Sequence, residues 1–401
     1  MKSGQIYYNQ GKMSESATAT PEAPAKAYTR NQPYLSHVIT NDRLTGPESE
    51  KETIHIELDL EDGMTYTPGD AVGIIPTNRE SQVAEVLDAL GFNGAERVLD
   101  HKMEISLHEA LTTRLGISKL ARGSLNQYAK LCGENVPDGL KKLLGTENKA
   151  VAEEYVWGRE FVDLVKDFPG IVKEPQELFN ILQRLTPRMY SIASSLAAHP
   201  NEVHTTVRVI RFNAHGAERQ GVCSGHLGER APVGSIMPIF LHENNAFRLP
   251  EDGDAPVIMI GPGTGIAPFR AFLEHRQVLG EKGPMWLFFG EQRRVSDYLY
   301  EKQFAQLQQE GVLTKLHTAF SRDTGKKVYV QDRMQENAAE LYDWLERGAC
   351  FYVCGDASRM AKDVEMALLD VIAKGSNGTL EHASEYLAAM KKQKRYQRDV
   401  Y

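Results

Sequence analysis

Hydrophobic and polar positions follow two different rhythms in the first 250 residues of the chain. Near the start, and again after about residue 186, short runs such as TIHIELDL and VHTTVRVIRF alternate apolar with polar residues, which is the period of a half-buried β-strand. From about residue 81 to residue 185, apolar positions recur at helical spacing, as in SQVAEVLDALG and EPQELFNILQRL. The two rhythms predict an antiparallel β-barrel that is interrupted by a helical insert.

After Pro250 the chain changes to a strict alternation of strands and helices. Four short apolar runs, VIMI, MWLFFG, KLHTAF and CFYVCG, are each followed by an amphipathic helical stretch. This alternation predicts a parallel sheet with helices on both faces. Because ligands of such sheets bind at the carboxyl ends of the strands, we expect a site near the glycines after VIMI and near Ser321, Cys354 and Gly355.

The length of the chain, 401 residues, favours two domains with separate cores. We predict a barrel domain over residues 34–250, with the insert at about 81–185, and an α/β domain over residues 251–401. Residues 1–33 are expected to form a flexible tail, because SESATATPEAPAKA has no large apolar side chain with which to offset the entropy of ordering.

Charge and composition exclude several classes of function. A net charge of −8 argues against a general nucleic-acid binder and against attraction to an anionic membrane surface. No apolar stretch approaches the roughly 18 residues of a membrane span, and the opening residues do not resemble a signal peptide, so we expect a cytoplasmic protein. Cys132, Cys223, Cys350 and Cys354 are spaced too irregularly for a disulfide framework or a zinc site, and no metal site is predicted.

The stretch GPGTG, residues 261–265, is the first candidate for ligand chemistry. It follows a buried strand and precedes a helix that begins near a proline, and glycines let backbone N–H groups approach a phosphate closely. No Lys follows the last glycine, as a triphosphate loop requires, and the spacing departs from the common dinucleotide fingerprint. An ordinary turn of an α/β protein remains the alternative.

A basic loop follows the strand KLHTAF. It concentrates a hydroxyl and three cations within seven residues, at Ser321, Arg322, Lys326 and Lys327. Arg offers a planar fork that matches a phosphate, and Lys adds a point charge. The loop fits a terminal phosphate such as the 2′-phosphate of NADP, and a solvated basic loop is the alternative.

Two short motifs in the barrel segment are weaker signals. RMYS places Arg188 and Tyr190 on one face of a strand, where they could flank a flat cofactor and grip its phosphate. GVCSGHL, residues 221–227, is a turn of small residues before a helix, which could cradle a second phosphate. Neither motif is decisive alone.

Taken together, six ordered motifs resemble the reductase half of the diflavin reductases, in particular of those that serve NADPH–sulfite reductase. The motifs are RMYSIASS, GVCSGHL, IMIGPGTGIAPFRAF, SRDTGKKVYVQD, YVCGDASRMAKDVEMAL and RYQRDVY, and the similarity runs from about Gln32 to Tyr401. The resemblance implies a ferredoxin–NADP reductase-like fold, in which an antiparallel FAD-binding barrel with an all-helical connecting insert precedes a parallel α/β NADP-binding domain. The FMN-binding flavodoxin domain of the family has no counterpart ahead of the barrel segment, so we expect it to be missing.

The resemblance also implies roles for individual residues. Tyr190 would lie against the isoalloxazine ring and Arg188 would contact the FAD pyrophosphate. The implied FAD contacts are Arg188, Met189, Tyr190, Ser191, Thr206, Val207, Arg208, Gly221, Val222, Cys223 and Ser224. The implied NADP contacts are Gly263, Thr264, Ser321, Arg322, Lys327, Val328, Tyr329, Val330, Gln331 and Asp363.

Four residues are implied to act where the nicotinamide meets the flavin. Ser191, Cys354 and Asp399 would surround the nicotinamide carbon. Tyr401 would stack on the flavin ring as a lid over the face that accepts hydride.

The function implied by the resemblance is hydride transfer from NADPH to FAD. Electrons would then pass to a sulfite reductase haemoprotein (beta) subunit, directly or through a separate FMN or iron–sulfur carrier. The alternatives are an NADPH–ferredoxin or NADPH–flavodoxin reductase outside sulfur metabolism, and a non-catalytic assembly subunit that has kept the fold. Neither a nucleic acid nor a membrane is expected as a partner.

Overall fold

The computed structural model describes residues 28–401. Most of the tail predicted for residues 1–33, namely residues 1–27, lies outside the described residues. The strands are β1 (Tyr34–Arg43), β2 (Glu52–Asp59), β3 (Ala71–Ile74), β4 (Arg97–Asp100), β5 (Met103–Ser106), β6 (Arg188–Ser191), β7 (Glu202–Val209), β8 (Arg211–Ala214), β9 (Ala217–Gln220), β10 (Ile236–His242), β11 (Val257–Ile260), β12 (Met285–Glu291), β13 (Lys315–Phe320), β14 (Cys350–Gly355) and β15 (Tyr396–Val400).

Helices lie mainly between β3 and β6 and after β11. They are α1 (Glu80–Leu90), α2 (Leu107–Thr113), α3 (Arg122–Lys130), α4 (Asp138–Lys141), α5 (Lys149–Val156), α6 (Phe161–Asp167), α7 (Leu178–Ile181), α8 (Val222–Arg230), α9 (Ala267–Leu279), α10 (Arg294–Asp297), α11 (Glu301–Gln309), α12 (Val330–Glu336), α13 (Ala338–Glu346), α14 (Met360–Gly375) and α15 (Leu380–Lys392). No helix within residues 28–401 is both long enough and apolar enough to span a bilayer.

The first sheet is the antiparallel barrel that the alternating pattern predicts. Six strands pair in the order β6-β3-β10-β1-β2-β7. The two end strands are joined by an antiparallel bridge between Ile192 and Thr205, which closes the sheet. Inward-facing apolar residues such as Ile56, Val72 and Ile239 are fully buried and form the core. The antiparallel barrel is therefore confirmed.

The insert between β3 and β6 has a core of its own, which includes Leu111, Tyr128 and Phe161. The expectation that the insert is all-helical was wrong. Its strands β4 and β5 form an antiparallel hairpin in which Val98 pairs with Ile105. These two side chains are buried, and the strands are only four residues long, too short for alternation to stand out from the helical pattern around them. The helices α5 and α6 of the insert are separated near Gly158, which has a φ of +68°.

The second sheet is parallel, with five strands in the order β13-β12-β11-β14-β15. All residues of β11, β12 and β14 are buried, as expected when helices cover both faces. One face packs on α12 to α15 and the other on α9 and α11, which gives two apolar cores. The parallel α/β unit is confirmed, and its boundary at residues 250 and 251 stays a prediction.

The two sheets contact each other at the carboxyl ends of the parallel strands. Oγ of Ser191, at the end of β6, donates to a carboxylate oxygen of Asp399 on β15. Oγ1 of Thr206 on β7 lies 2.7 Å from the hydroxyl of Tyr300, which directly precedes α11. Barrel and parallel sheet thus form the two walls of one cleft.

Candidate functional site

A cleft of about 1040 Å³ runs between the barrel and the carboxyl edge of the parallel sheet. Single-ligand pockets usually measure roughly 300–1,000 Å³. The cleft therefore has room for one very large ligand, or for two that meet. Both of the site regions predicted from the sequence line it, one on each wall.

Two unpaired cations lie on the barrel wall. Arg188 on β6 and Arg208 on β7 both line the cleft, and both are exposed. Neither side chain forms an ion pair or a hydrogen bond with another residue in the described range 28–401. Guanidinium groups left free in a cleft are suited to a phosphate or pyrophosphate.

The start of α8 supplies a second anion-binding feature on the same wall. Gly221 is the N-cap, and Val222 to Ser224 form the first turn, whose N–H groups have no partner within the helix. A Cβ on Gly221 would lie 2.5 Å from Oγ of Ser224, so the hydroxyl of Ser224 packs closely on the backbone of this turn. All four residues from 221 to 224 line the cleft. The helix start and the two arginines together favour a diphosphate ligand.

Cys223 lines this turn without being a reactive thiol. Its side chain is buried against Tyr190, and burial raises the pKa of the Cys223 thiol to about 12. It therefore stays protonated near neutral pH. Its neighbours on the wall, Met189 and the partly buried Tyr190, also line the cleft.

Two predicted contact residues have side chains that do not reach the cleft. Val207 is fully buried in the barrel core, because it alternates along β7 with Thr206 and Arg208, which do line the cleft. Val328 packs partly buried against one core of the parallel unit. In this structure neither valine side chain faces a ligand in the cleft.

The glycines of GPGTG are required for different structural reasons. Gly263 lines the cleft and has a φ of +60°, a conformation that side chains rarely adopt. A Cβ on Gly265 would lie 2.1 Å from the carbonyl oxygen of Cys354, so the turn packs directly on β14. Gly263 and Thr264 face the ligand space, whereas Gly265 is required by packing within the protein.

The basic loop after β13 lies on the opposite wall. Ser321, Arg322, Lys327, Tyr329, Val330 and Gln331 line the cleft there, and Asp363 joins them from the first turn of α14. Lys327 forms no ion pair within residues 28–401, while Arg322 pairs with Glu50. The predicted phosphate loop is thus part of the same cleft as the barrel arginines.

Ser191, Cys354 and Asp399 meet where the two walls join. Oγ of Ser191 donates to Oδ2 of Asp399 at 2.6 Å, and Sγ of Cys354 lies 3.8 Å from the same oxygen. Cys354 and Asp399 are register partners on β14 and β15, which places their side chains side by side. The structure therefore brings together, from three strands and two sheets, the three residues singled out in the sequence.

Cys354 is fully buried, and only Ser191 of these three lines the cleft. Burial, together with the carboxylate of Asp399, raises the pKa of the Cys354 thiol well above its usual value. The raised pKa argues against a thiolate nucleophile at this position.

Tyr401 stands at the mouth of this junction. Its hydroxyl lies 3.0 Å from Oγ1 of Thr264. Its backbone N–H donates to the carbonyl of Gly355 at 3.1 Å, and its carbonyl accepts from the N–H of Ala357 at 3.1 Å. The residue is exposed as a whole and lines the cleft, so the backbone contacts place its ring at the edge of the ligand space.

Several lining residues were not found from the sequence. Glu291 and Gln292 follow the buried run MWLFFG, and the rule that ligands bind at strand ends could have found them. Lys51 and Thr53 enter from the barrel, and no local pattern marks them. Nζ of Lys51 lies 2.6 Å from a carboxylate oxygen of Glu291, which neutralises that acid inside the cleft.

Residues 26–226 match the family described as FAD binding domain, which covers half of the chain. The chain belongs to this FAD-binding family. Residues 259–366 also match the family described as oxidoreductase NAD-binding domain. The two walls of the cleft thus lie in the ranges that match an FAD-binding and an NAD-binding family.

Curated relatives of this FAD-binding chain carry one common name. The chain is 43% identical over 394 residues to the sulfite reductase (NADPH) flavoprotein alpha-component of Bacillus subtilis (strain 168), and the match covers 98% of this chain and 65% of the relative. The chain is 43% identical over 375 residues to the protein of the same name from Yersinia pestis, and this match covers 93% of the chain and 61% of the relative. It is 44% identical over 375 residues to the protein of that name from Cronobacter sakazakii (strain ATCC BAA-894), where the match covers 93% of the chain and 62% of the relative. The chain spans less than two thirds of the length of these relatives.

Replacing Tyr401 with Ala is expected to narrow the preference for NADPH over NADH several-fold. In the predicted lid role, the ring forms an offset aromatic stack of about 0.5–1.5 kcal/mol beyond burial that the nicotinamide must displace, and the variant removes this stack. Stopped-flow flavin reduction with each dinucleotide measures the effect. Unchanged rates and an unchanged preference would show that Tyr401 is an ordinary surface residue.

Proposed function

We propose that this chain is the NADPH-oxidising FAD flavoprotein part of a sulfite reductase. The observation that carries the proposal is the contact of Ser191 with Asp399, 2.6 Å between their oxygens, where the FAD-binding barrel meets the dinucleotide-binding sheet. A reaction between two bound cofactors needs their reactive ends to meet, and this is the place where the two walls of the cleft join.

The residues on the barrel wall fit FAD. Arg188, Arg208 and the first turn of α8 would hold its pyrophosphate, because all three face the cleft with unused hydrogen-bond donors. Tyr190 would lie against the ring system. When bound, FAD supplies the chemistry of accepting a hydride and releasing electrons singly, so the protein contributes position and electrostatics.

The opposite wall fits NADPH. Ser321, Arg322 and Lys327 would bind the 2′-phosphate, and the Gly263 turn would hold the pyrophosphate against the sheet. Lys51 would remove the repulsion that the Glu291 carboxylate otherwise exerts on that pyrophosphate. The hydrogen bond from Ser191 fixes the carboxylate of Asp399 beside the thiol of Cys354 and orients both behind the reacting atoms.

The electron acceptor in this proposal is a sulfite reductase haemoprotein, reached directly or through a separate FMN or iron–sulfur carrier. Its support is the name that the relatives from Bacillus subtilis and Yersinia pestis share. The proposal also locates the protein in the cytoplasm. The four cysteines are all free thiols, which fits a reducing compartment.

The flavin that the purified protein releases on denaturation tests the proposal. We expect FAD, bleached by NADPH before denaturation, and sulfide production when a sulfite reductase haemoprotein and, if needed, an FMN carrier are added. A colourless protein that cannot be loaded with FAD would contradict the cofactor assignment. Full reduction of ferredoxin or flavodoxin without any activity on the haemoprotein would instead favour a reductase outside sulfur metabolism.

A further inference from the structure

The segment 44–51, which links β1 to β2 of the barrel, crosses to the dinucleotide-binding unit. The N–H of Gly46 donates to the carbonyl oxygen of Ser296 at 2.7 Å. Oγ of Ser49 donates to the carboxylate of Asp297, whose residue is 1% exposed. The segment is thus fastened by backbone and side-chain contacts to α10.

A third contact fixes the end of the segment. Lys51 and Glu291 form an ion pair of 2.6 Å, and their side chains are 16% and 2% exposed. Glu291 is the last residue of β12, so this pair holds the segment to the carboxyl edge of the parallel sheet. The residue between Ser49 and Lys51 therefore has a defined position.

That residue is Glu50, and its carboxylate contacts the predicted phosphate loop. Glu50 forms an ion pair with Arg322 and lies 4.0 Å from a guanidinium nitrogen of Arg293. Arg322 lines the cleft, and Arg293 does not. A carboxylate from the barrel therefore contacts Nη1 of the guanidinium that the proposed function assigns to the NADPH phosphate.

We infer that Glu50 is a specificity-determining residue, the counter-ion on Arg322 that the 2′-phosphate of NADPH must displace. The inference rests on the proposed function, since it needs Arg322 to bind that phosphate. A dianionic phosphate competes for the fork better than one carboxylate does, whereas NADH, with a 2′-hydroxyl, leaves the pair intact. Glu50 accordingly lowers the affinity for NADPH and leaves the affinity for NADH unchanged.

Glu50→Gln in the FAD-loaded protein tests the inference through the dissociation constants of NADPH and NADH. We expect binding of NADPH to tighten about two- to fivefold, the range of an exposed ion pair, and binding of NADH to stay the same. Glu48→Gln is the matched control, because Glu48 is an exposed acid of the same segment that forms no ion pair within residues 28–401. It should change neither constant.

The outcomes separate this inference from the proposed function. If Arg322→Ala weakens NADPH binding but Glu50→Gln does not tighten it, the inference is overturned and the assignment of Arg322 stands. If both variants leave NADPH binding unchanged, the phosphate site itself is misassigned. Equal tightening of NADPH and NADH would also overturn the inference, since it would reflect general removal of negative charge. In an Arg322→Ala background, the gain from Glu50→Gln should shrink.

Discussion

Asp399→Asn and Ser191→Ala are each expected to slow flavin reduction by NADPH about ten- to a hundredfold. Ser191→Ala removes the 2.6 Å hydrogen bond to the Asp399 carboxylate, and Asp399→Asn replaces its charged acceptor with a neutral amide oxygen. A hydrogen bond to a charged group contributes roughly 1.5–3 kcal/mol, which corresponds to this range of rates if the contact acts mainly in the transition state. Single-turnover stopped-flow measurement of flavin bleaching gives the rate directly.

Binding measurements distinguish this role from a structural one. The dissociation constant of NADPH should stay within about twofold of the parent value, because neither Ser191 nor Asp399 belongs to the predicted NADP contacts. Cys354→Ser should also slow bleaching while NADPH still binds. Normal rates in both Ser191→Ala and Asp399→Asn would remove this junction from the mechanism.

Arg322→Ala is expected to weaken binding of NADPH about ten- to a hundredfold and to leave NADH nearly unaffected. The variant removes a charge-assisted contact of roughly 1.5–3 kcal/mol with a phosphate that only NADPH carries. Steady-state Michaelis constants and direct binding titrations with both dinucleotides measure the change.

Arg293→Ala is the matched control for this experiment. Arg293 lies 4.0 Å from the same carboxylate of Glu50 but does not line the cleft. Its loss should alter NADPH binding less than about twofold, as for other exposed ion pairs. Equal damage to NADPH and NADH binding in Arg322→Ala would count against a 2′-phosphate site.

The fold was predictable where the periodicity of the sequence is long and clear. Buried strands such as β12 read as continuous apolar runs, and their alternation with amphipathic helices leaves few other arrangements. The β4–β5 hairpin was not predictable, because strands of four residues carry too few positions to define a period. The break between α5 and α6 at Gly158 was not predictable either, since a single glycine in a helical stretch does not by itself require a turn.

The candidate site was predictable to the extent that local motifs carry it. Strand ends and small-residue turns pointed to Gly263, Ser321 and Cys354, and family resemblance added Asp399 and Tyr401. The contacts of Glu50 and Lys51 could not be found this way. They join residues 240 or more positions apart, and only the packing of one sheet on another brings such positions together.

The junction of Ser191, Cys354 and Asp399 is built from both sheets. Binding of a cofactor and reaction between two cofactors therefore depend on different parts of the protein. Each wall of the cleft keeps its own set of anion contacts, whereas the junction exists only where β6 touches β15. Substitutions on either wall can therefore alter how tightly one cofactor is retained without affecting the other. Under the proposed function, turnover in contrast depends on the alignment of two sheets with separate cores, so a slight rotation of one sheet against the other would slow electron transfer while both cofactors stay bound.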